Sequence, residues 1–478
     1  MSRTVIFIAL MISLAGCVTP PRPSTPAPLA NDAHLGLGDA PVAAAPNWWT
    51  SFHDPQLDRL ISEALHDSPT LAQAEARLRA ALAQSEIAHA ATLPSAKLNA
   101  SALRQHAPEH YLIPPPLAGG NFWMAQAGAT VNWDLDFWGK QADAVNTAKA
   151  LKQASSLDID DTRLMLASAV AQAYVELYRS YALADIAARA EEQRERIIKI
   201  TRRRVDAGLD TRLELRFAES QLPQARVDHA QSVAAADLAV HQLATITGQG
   251  AEAYASMTRP TLNVDAALPV PTAIPLNLLA RRPDILAARL RVDAADSQRL
   301  AAKAAFYPDI SITALAGFGA FGLDNFVKLN ARGYSAGPLL SLPLFDGGRL
   351  RAEYKGSEAQ LDGVIAAYNG TVLNAVHQTA DQLTRLHSLT RERVDQQQAL
   401  SATEDAYRIA EERYRAGLAN YLSVLNAETQ LLTARKALVD ITANQVTARV
   451  TLLLTVGGSF DAAAASADSS HLTTRSTP

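Results

Sequence analysis

The chain has 478 residues and a formal net charge of −4. That length allows several domains, and the near-neutral charge gives no reason to expect a nucleic-acid partner. Hydrophobic residues make up 48% of it and charged residues 19%; an abundance of Ala, Leu, Gln, Glu and Arg favours long helices.

The chain begins MSRTVIFIALMISLAGCVTPPRPSTPAP. Arg3 makes a short basic segment and residues 5 to 14 an apolar one, too short to span a bilayer as a mature helix. Residues 1–16 therefore read as a secretory signal peptide. Cys17, the only cysteine, follows Leu14-Ala15-Gly16, so no disulfide can form within one chain. This arrangement resembles the lipobox of bacterial lipoproteins. The resemblance implies a diacylglycerol and an N-acyl chain on Cys17, and several acyl chains make a stable anchor. Val18 and Thr19 follow, with no Asp, which by the same resemblance implies sorting to the outer membrane. Residues 17–47 read as a Pro/Ala tether of extended character.

From here the sequence is written twice. SPTLAQAEARLRAALAQSEIAHAATLPS from Ser68 answers RPDILAARLRVDAADSQRLAAKAAFYPD from Arg282, with Pro69, Arg77 and Pro94 matching Pro283, Arg291 and Pro308 at an offset of 214. WGK at 138–140 then answers GGR at 347–349, and RVDAGLDTRLELRFAESQL at 204–222 answers RYRAGLANYLSVLNAETQL at 413–431, both at an offset of 209. The first repeat covers 48–280 and the second 281–458.

Each repeat carries two stretches of period-two alternation. Ala96, Leu98, Ala100 and Ala102 alternate with polar residues, and Ala127, Ala129, Val131, Trp133, Leu135 and Phe137 share one parity. Ile310, Ile312, Ala314 and Ala316 repeat this, as do Tyr334, Ala336, Leu340, Leu342 and Leu344. The pattern predicts strands near 95–106, 122–137, 309–321 and 333–345, each with one apolar face. Tilted membrane strands need about 9–11 residues, and open strand edges are not tolerated in lipid. Four strands cannot close a barrel, so the barrel must be shared with copies of the chain. Trp123, Trp133, Phe137 and Trp138 suit an interfacial aromatic girdle.

Between the strand pairs lie very long helices. Residues 140 to 207 contain no Gly and no Pro; as one helix they would reach about 100 Å. Helical hairpins are predicted at 140–247 and 349–456, turning at Gly208 and Gly417. A kink is expected at Pro223, and Gly356, Gly363 and Gly370 are expected to loosen the start of the second hairpin. Residues 249–280 read as a linker, and 459–478 as a disordered tail.

WWTSFHDPQLDRLISEAL, RRPDILAARLRVDAA, AAFYPDISITA, the pair WDLDFWGK and LPLFDGGR, and RYRAGLANYLSVLNAETQL occur in order over almost the whole mature chain. Together they resemble the TolC-like outer-membrane efflux factors, in their lipidated OprM-like, NodT-type branch. The resemblance implies a mainly α homotrimer: three chains giving four strands each to a 12-stranded membrane β-barrel, continued by a 12-helix periplasmic α-barrel. It implies outer-membrane lipids, a periplasmic adaptor and an inner-membrane transporter as partners. It also implies passive conduction of small molecules, without catalysis, cofactor or metal. Gly208, Leu209, Gly417 and Leu418 become candidate adaptor-docking tips, and Leu422 stands where relatives close the pore with a leucine ring. Relatives carry Asp and then Arg one turn on. This chain has Asn426 and Thr429 at those positions, so the charged latch of the relatives is not expected and mainly apolar closure is implied. An export duct for a polypeptide, or a lipid-anchored coiled-coil scaffold without a pore, are the alternatives.

Two motifs are set aside. GFGAFG at 317–322 fits a dinucleotide-binding glycine pattern but opens no βαβ unit, and reads as a hairpin loop. His106, Glu109 and His110 have near-helical metal spacing, but Pro108 lies between them. No H-E-x-x-H, G-x-S-x-G or Walker sequence is present.

Overall fold

The computed structural model describes residues 20–22, 25–30, 47–110, 114–115, 117–266, 268, 270–271, 282–458 and 460. The signal-peptide region, Cys17, most of the tether, the end of the linker and the tail lie outside them. In chain order the main elements are α1 (Pro55–Asp67), α2 (Pro69–Ala90), β1 (Ser95–His106), β2 (Asn121–Leu135), α3 (Lys140–Asp206) and α4 (Arg212–Ile246). They continue with α5 (Pro283–Ala304), β3 (Asp309–Phe321), β4 (Arg332–Ser341), α6 (Arg349–Arg415) and α7 (Tyr421–Thr455). The duplication is visible in the helix lengths: α2 and α5 have 22 residues each, α3 and α6 67 each, α4 and α7 35 each.

The described residues fall into two compact units. One gathers Arg77–Ser155 and Ala287–Tyr368 and holds a single antiparallel sheet in the order β1-β2-β3-β4. Its register aligns the two repeats. Leu98 faces Ala129, which faces Ala316, which faces Tyr334; Ala96, Val131, Ala314 and Ala336 form the next row. Directly opposed residues share a face, so one face is apolar across all four strands. The other carries Lys97, Asn99, Ser101, Gln126, Thr130, Asn132, Ser311 and Thr313, with Thr313 Oγ1 donating to Asn132 Oδ1 at 3.0 Å. Leu98 is 79% exposed and Tyr334 89%; among the described residues nothing covers the apolar face. Among the described residues, β1 and β4 each have one edge unpaired. Beside the sheet, Phe306, Leu350 and Tyr354 form a small buried core.

Two strands end earlier than their alternation suggests. β2 stops at Leu135 because Asp136 turns to cap α3, accepting from the Ala142 amide at 2.7 Å. β4 stops at Ser341, just before Leu342-Pro343; proline has no N–H for the ladder. The GFGAFG stretch is not a loop: residues 317 to 321 lie inside β3, and only Gly322 turns, with φ +84. Gly317 pairs with Gly128. A Cβ at Gly317 would collide with the Ala127 carbonyl and stand 2.5 Å from Gly128 Cα, so close backbone approach, rather than phosphate binding, explains this glycine. α6 runs unbroken through Gly356, Gly363 and Gly370, and α4 through Pro223; packing overrides a propensity cost of about 1 kcal/mol per glycine.

The other unit contains Ala30–Ala76, Ser156–Leu286 and the chain from Asn369 onward. α1 is anchored there by Asp54, only 2% exposed. Its carboxylate accepts from the Gln56 amide (3.0 Å), the Thr261 amide (2.8 Å) and the Tyr174 hydroxyl (2.8 Å). That fastens the linker at Thr261 to both α1 and α3, and burial with the Asp54 contact pushes the Tyr174 phenol up.

Gly317→Val is expected to disturb the β2–β3 pairing, an overpacking cost of about 1–3 kcal/mol, whereas Gly319→Val, with open space at its Cβ position, is tolerated. Yield of heat-resistant oligomer in membrane extracts checks this; equal yields for both variants would refute it.

Candidate functional site

The hairpin turns are built by the same backbone device twice. Gly208 and Gly417 adopt φ +69 and +77, a conformation open to glycine at no steric cost. The Leu209 amide bonds the Arg204 carbonyl and the Leu418 amide the Arg413 carbonyl, each at 2.8 Å, which closes the helix ends in a Schellman pattern. Each return helix is then capped: Thr211 forms a capping box with Glu214, and Asn420 accepts from the Ser423 amide at 3.1 Å. Leu209 and Leu418 project from the turns, 65% and 70% exposed.

The two turns are joined by a network that the repeat does not duplicate. Arg204 forks onto Asp210, Nε to Oδ2 at 2.8 Å and Nη2 to Oδ1 at 3.1 Å. Its Nη1 donates to the Tyr414 carbonyl at 2.7 Å, and its guanidinium lies 4.6 Å from the Tyr414 ring centre. The Tyr414 hydroxyl donates to Asp210 Oδ2 at 2.7 Å and stands 2.9 Å from Thr201 Oγ1. Tyr414 is fully buried, and the Arg204 and Asp210 side chains are only 11% and 8% exposed. Burial opposes charge on Asp210, but the Arg204 and Tyr414 hydrogen bonds outweigh it and hold the carboxyl below its usual range. Burial pushes the Tyr414 phenol up. The repeat marks only the arginine: Arg204 matches Arg413, whereas Tyr414 matches Val205 and Asp210 matches Ala419 at the 209 offset. The departure from symmetry was the only sequence signal available.

α7 has two distinct faces. Tyr421, Val424, Glu428 and Leu431 are buried, packed with Ile197, Ala218, Tyr407 and Tyr414. Leu422, Asn426 and Thr429 are exposed and share the opposite face, at helical spacing of four and three residues. Leu422 is 58% exposed, and Thr429 spends its hydroxyl on the Leu425 carbonyl of its own helix at 2.8 Å. No charged side chain stands at these three positions.

The aromatic residues divide by role. Trp123 and Trp133 sit on the same face of β2, ten residues apart, or about 33 Å along a strand, against a hydrocarbon thickness of about 30 Å. Trp133 Nε1 also donates to the Thr92 carbonyl at 3.1 Å. Trp138 donates to the Pro308 carbonyl at 2.8 Å and stacks on Tyr307 at 5.0 Å. The two indoles thus clasp the equivalent helix-to-strand junctions of the two repeats. Phe137 is 63% exposed without such a bond. His106, Glu109 and His110 do not gather: among the described residues no cluster of three metal-ligating side chains exists.

A sheet with an uncovered apolar face and unpaired edges, carried with capped helical hairpins, defines a subunit of an outer-membrane channel. The comparisons agree. The model of the outer membrane efflux protein family matches residues 60–249 and 274–458, one segment in each repeat, and the chain belongs to that family. It is 37% identical to the fusaric acid resistance protein FusA of Burkholderia cepacia over 74% of this chain and 68% of that one. It is 32% identical to the multidrug resistance outer membrane protein MdtP of Shigella flexneri over 91% of this chain and 90% of that one. The crystal structure of the outer membrane protein VceC from Vibrio cholerae superposes with a TM-score of 0.81 at 33% identity, covering 87% of this chain and all of that one. The fold is that of the TolC-family channels, trimeric β-barrels continued by an α-barrel, and the protein is an outer-membrane efflux channel.

Removing the Tyr414 hydroxyl in Tyr414→Phe takes two hydrogen bonds from the buried joint, a loss of about 1–3 kcal/mol. Asp210→Ala leaves Arg204 buried without its counter-charge, at about 3–5 kcal/mol. Hydrogen exchange of residues 201–214 and 411–424 is expected to accelerate in that order; unchanged protection in Asp210→Ala would show the joint to be dispensable.

Proposed function

We propose that this chain forms the passive exit duct of a tripartite efflux pump and carries small toxic molecules from the periplasm to the exterior. The observation that carries this reading is the register of the four-stranded sheet. It lays one apolar face against a polar one and leaves both edges for neighbouring copies, which suits a lipid-facing, water-filled barrel. The names of the relatives, for fusaric acid and for multidrug resistance, support a small-molecule cargo over a polypeptide. Energy comes from an inner-membrane transporter reached through a periplasmic adaptor, which docks on the turns carrying Gly208, Leu209, Gly417 and Leu418. Leu422 closes the periplasmic end by apolar contact between copies, and the uncharged Asn426 and Thr429 add no ionic latch. Cys17 carries the acyl chains that anchor the mature chain in the outer membrane.

Leu422→Ser is expected to raise the closed-state conductance of the purified trimer in planar bilayers several-fold, because a hydroxyl lets the constriction stay wet. A conductance equal to wild type rules out Leu422 as the barrier. A photo-crosslinking side chain at Leu418 in living cells is expected to capture a periplasmic adaptor; absence of any adaptor among the adducts would count against tip docking.

A further inference from the structure

The buried face of α7 holds one charged group that the duct reading does not use. Glu428 is 3% exposed. Its nearest cation is Arg194 of α3, with Nε 3.5 Å from Oε1, longer than a charge-assisted hydrogen bond of about 2.7–2.9 Å. Neither of those two atoms has a hydrogen-bond partner. Arg194 spends Nη1 on the Gln221 carbonyl of α4 at 2.8 Å. The guanidinium therefore bridges the two repeats while pairing poorly with the carboxylate. The repeat partner of Glu428 is Glu219, which is met by both Arg202 (3.2 Å) and Arg216 (2.8 Å) in a more open setting. On the same buried face, Tyr421, Val424 and Leu431 of α7 pack with Ile197 of α3, Ala218 of α4 and Tyr407 and Tyr414 of α6.

We propose that Glu428 is a positioning residue for the helix that bears Leu422: its charge loosens the seam between α7 and the first repeat, and its protonation tightens that seam. The proposal rests on Leu422 being the barrier. Leu422 and Glu428 lie within two turns of one continuous helix, so a shift of the buried face moves the exposed one.

The groups facing Glu428 are Arg194 from α3, Glu411 and Tyr407 from α6, and Tyr421 from α7; α4 offers the Gln221 carbonyl. Glu411 is itself paired with Arg415 at 2.6 Å. Burial raises the Glu428 carboxyl above its ordinary value of 4.5, Arg194 opposes this incompletely, and Glu411 adds to it. Burial also pushes the Tyr421 phenol up to about 12, so neither phenol ionises near neutrality. The sign follows: the buried arrangement binds a proton that a freely exposed Glu428 would release. It is favoured as pH falls toward 4.5 and disfavoured as pH rises through the raised value.

The test reads closed-state conductance of the trimer in planar bilayers, and hydrogen exchange of residues 421–431, from neutral pH down to 4.5. Wild type is expected to leak several-fold less and exchange more slowly at the acid end. Glu428→Gln should match the acid wild type at neutral pH and lose the pH dependence, whereas Glu428→Asp keeps it. A merely structural glutamate would give a Gln variant that is looser at every pH. That result, a Gln variant with the wild-type profile, a wild type that does not tighten in acid, or failure of the Gln variant to assemble would each overturn the proposal. If Leu422→Ser fails to leak, the barrier assignment falls by itself, while the exchange profile of 421–431 still reports on Glu428.

Discussion

A strand edge cannot be left open in hydrocarbon, because each unpaired N–H and C=O there costs several kcal/mol. Among the described residues two edges stay open, one of β1 and one of β4. The chain also presents an apolar face that the other described residues do not cover. Both deficits are cured by one arrangement, in which copies pair edge to edge and lipid covers the apolar face. A two-residue-period sequence fixes which face that is: a slip by one residue would send Val131 and Ala314 to the polar side and Asn132 and Thr313 to the lipid. The pairing of Gly317 with Gly128 adds a second check on register, since a side chain at Gly317 would collide with the β2 backbone.

The duplication supplies matched backbone, and the departures from it supply the chemistry. Both turns use a left-handed glycine, the same pair of closing hydrogen bonds and a capped return helix. Onto that common frame the chain places unlike residues: Asp210 against Ala419, and Tyr414 against Val205. Because the residues differ, the two turns hold one another instead of standing as independent copies. Identical turns would each have had to satisfy their own arginine locally. Here Arg204 serves both, with a fork on Asp210 and a single donor on the Tyr414 carbonyl.

Much of this was legible from the chain alone, for physical reasons. Helix is written in long runs without Gly or Pro, and strand in period-two alternation, so the alternation at 127–135 and the glycine turns at 208 and 417 could be read locally. The clasps of Trp133 and Trp138 could not, because Thr92 and Pro308 lie 41 and 170 residues away. The Tyr414–Asp210 bond spans 204 residues, and no local pattern announces it. The glycines at 317–321 fall inside the predicted strand 309–321 but read as a loop when taken as a motif, because glycine is depleted in strands on average; at Gly317 it instead allows a close backbone crossing. Boundaries failed where a side chain changed task, as Asp136 does in leaving the strand parity to cap a helix.

Burial acts both on Asp210, in the turn before α4, and on Glu428 of α7, and the donors around them decide the outcome. Asp210 receives a two-toothed guanidinium and a phenol, so its charge is better off inside the protein than in water. Glu428 receives one distant guanidinium nitrogen with no hydrogen bond, and a second carboxylate nearby works against it. The same helical ends therefore combine a joint that keeps its charge into acid with one that is relieved by taking up a proton. The closure proposed at Leu422 calls for both properties: a fixed joint so that the turns move together, and a poorly satisfied one so that the closed arrangement is not too deep a minimum. Buried ion pairs are weak sources of stability when their geometry is poor, and the role proposed for Glu428 draws on that weakness.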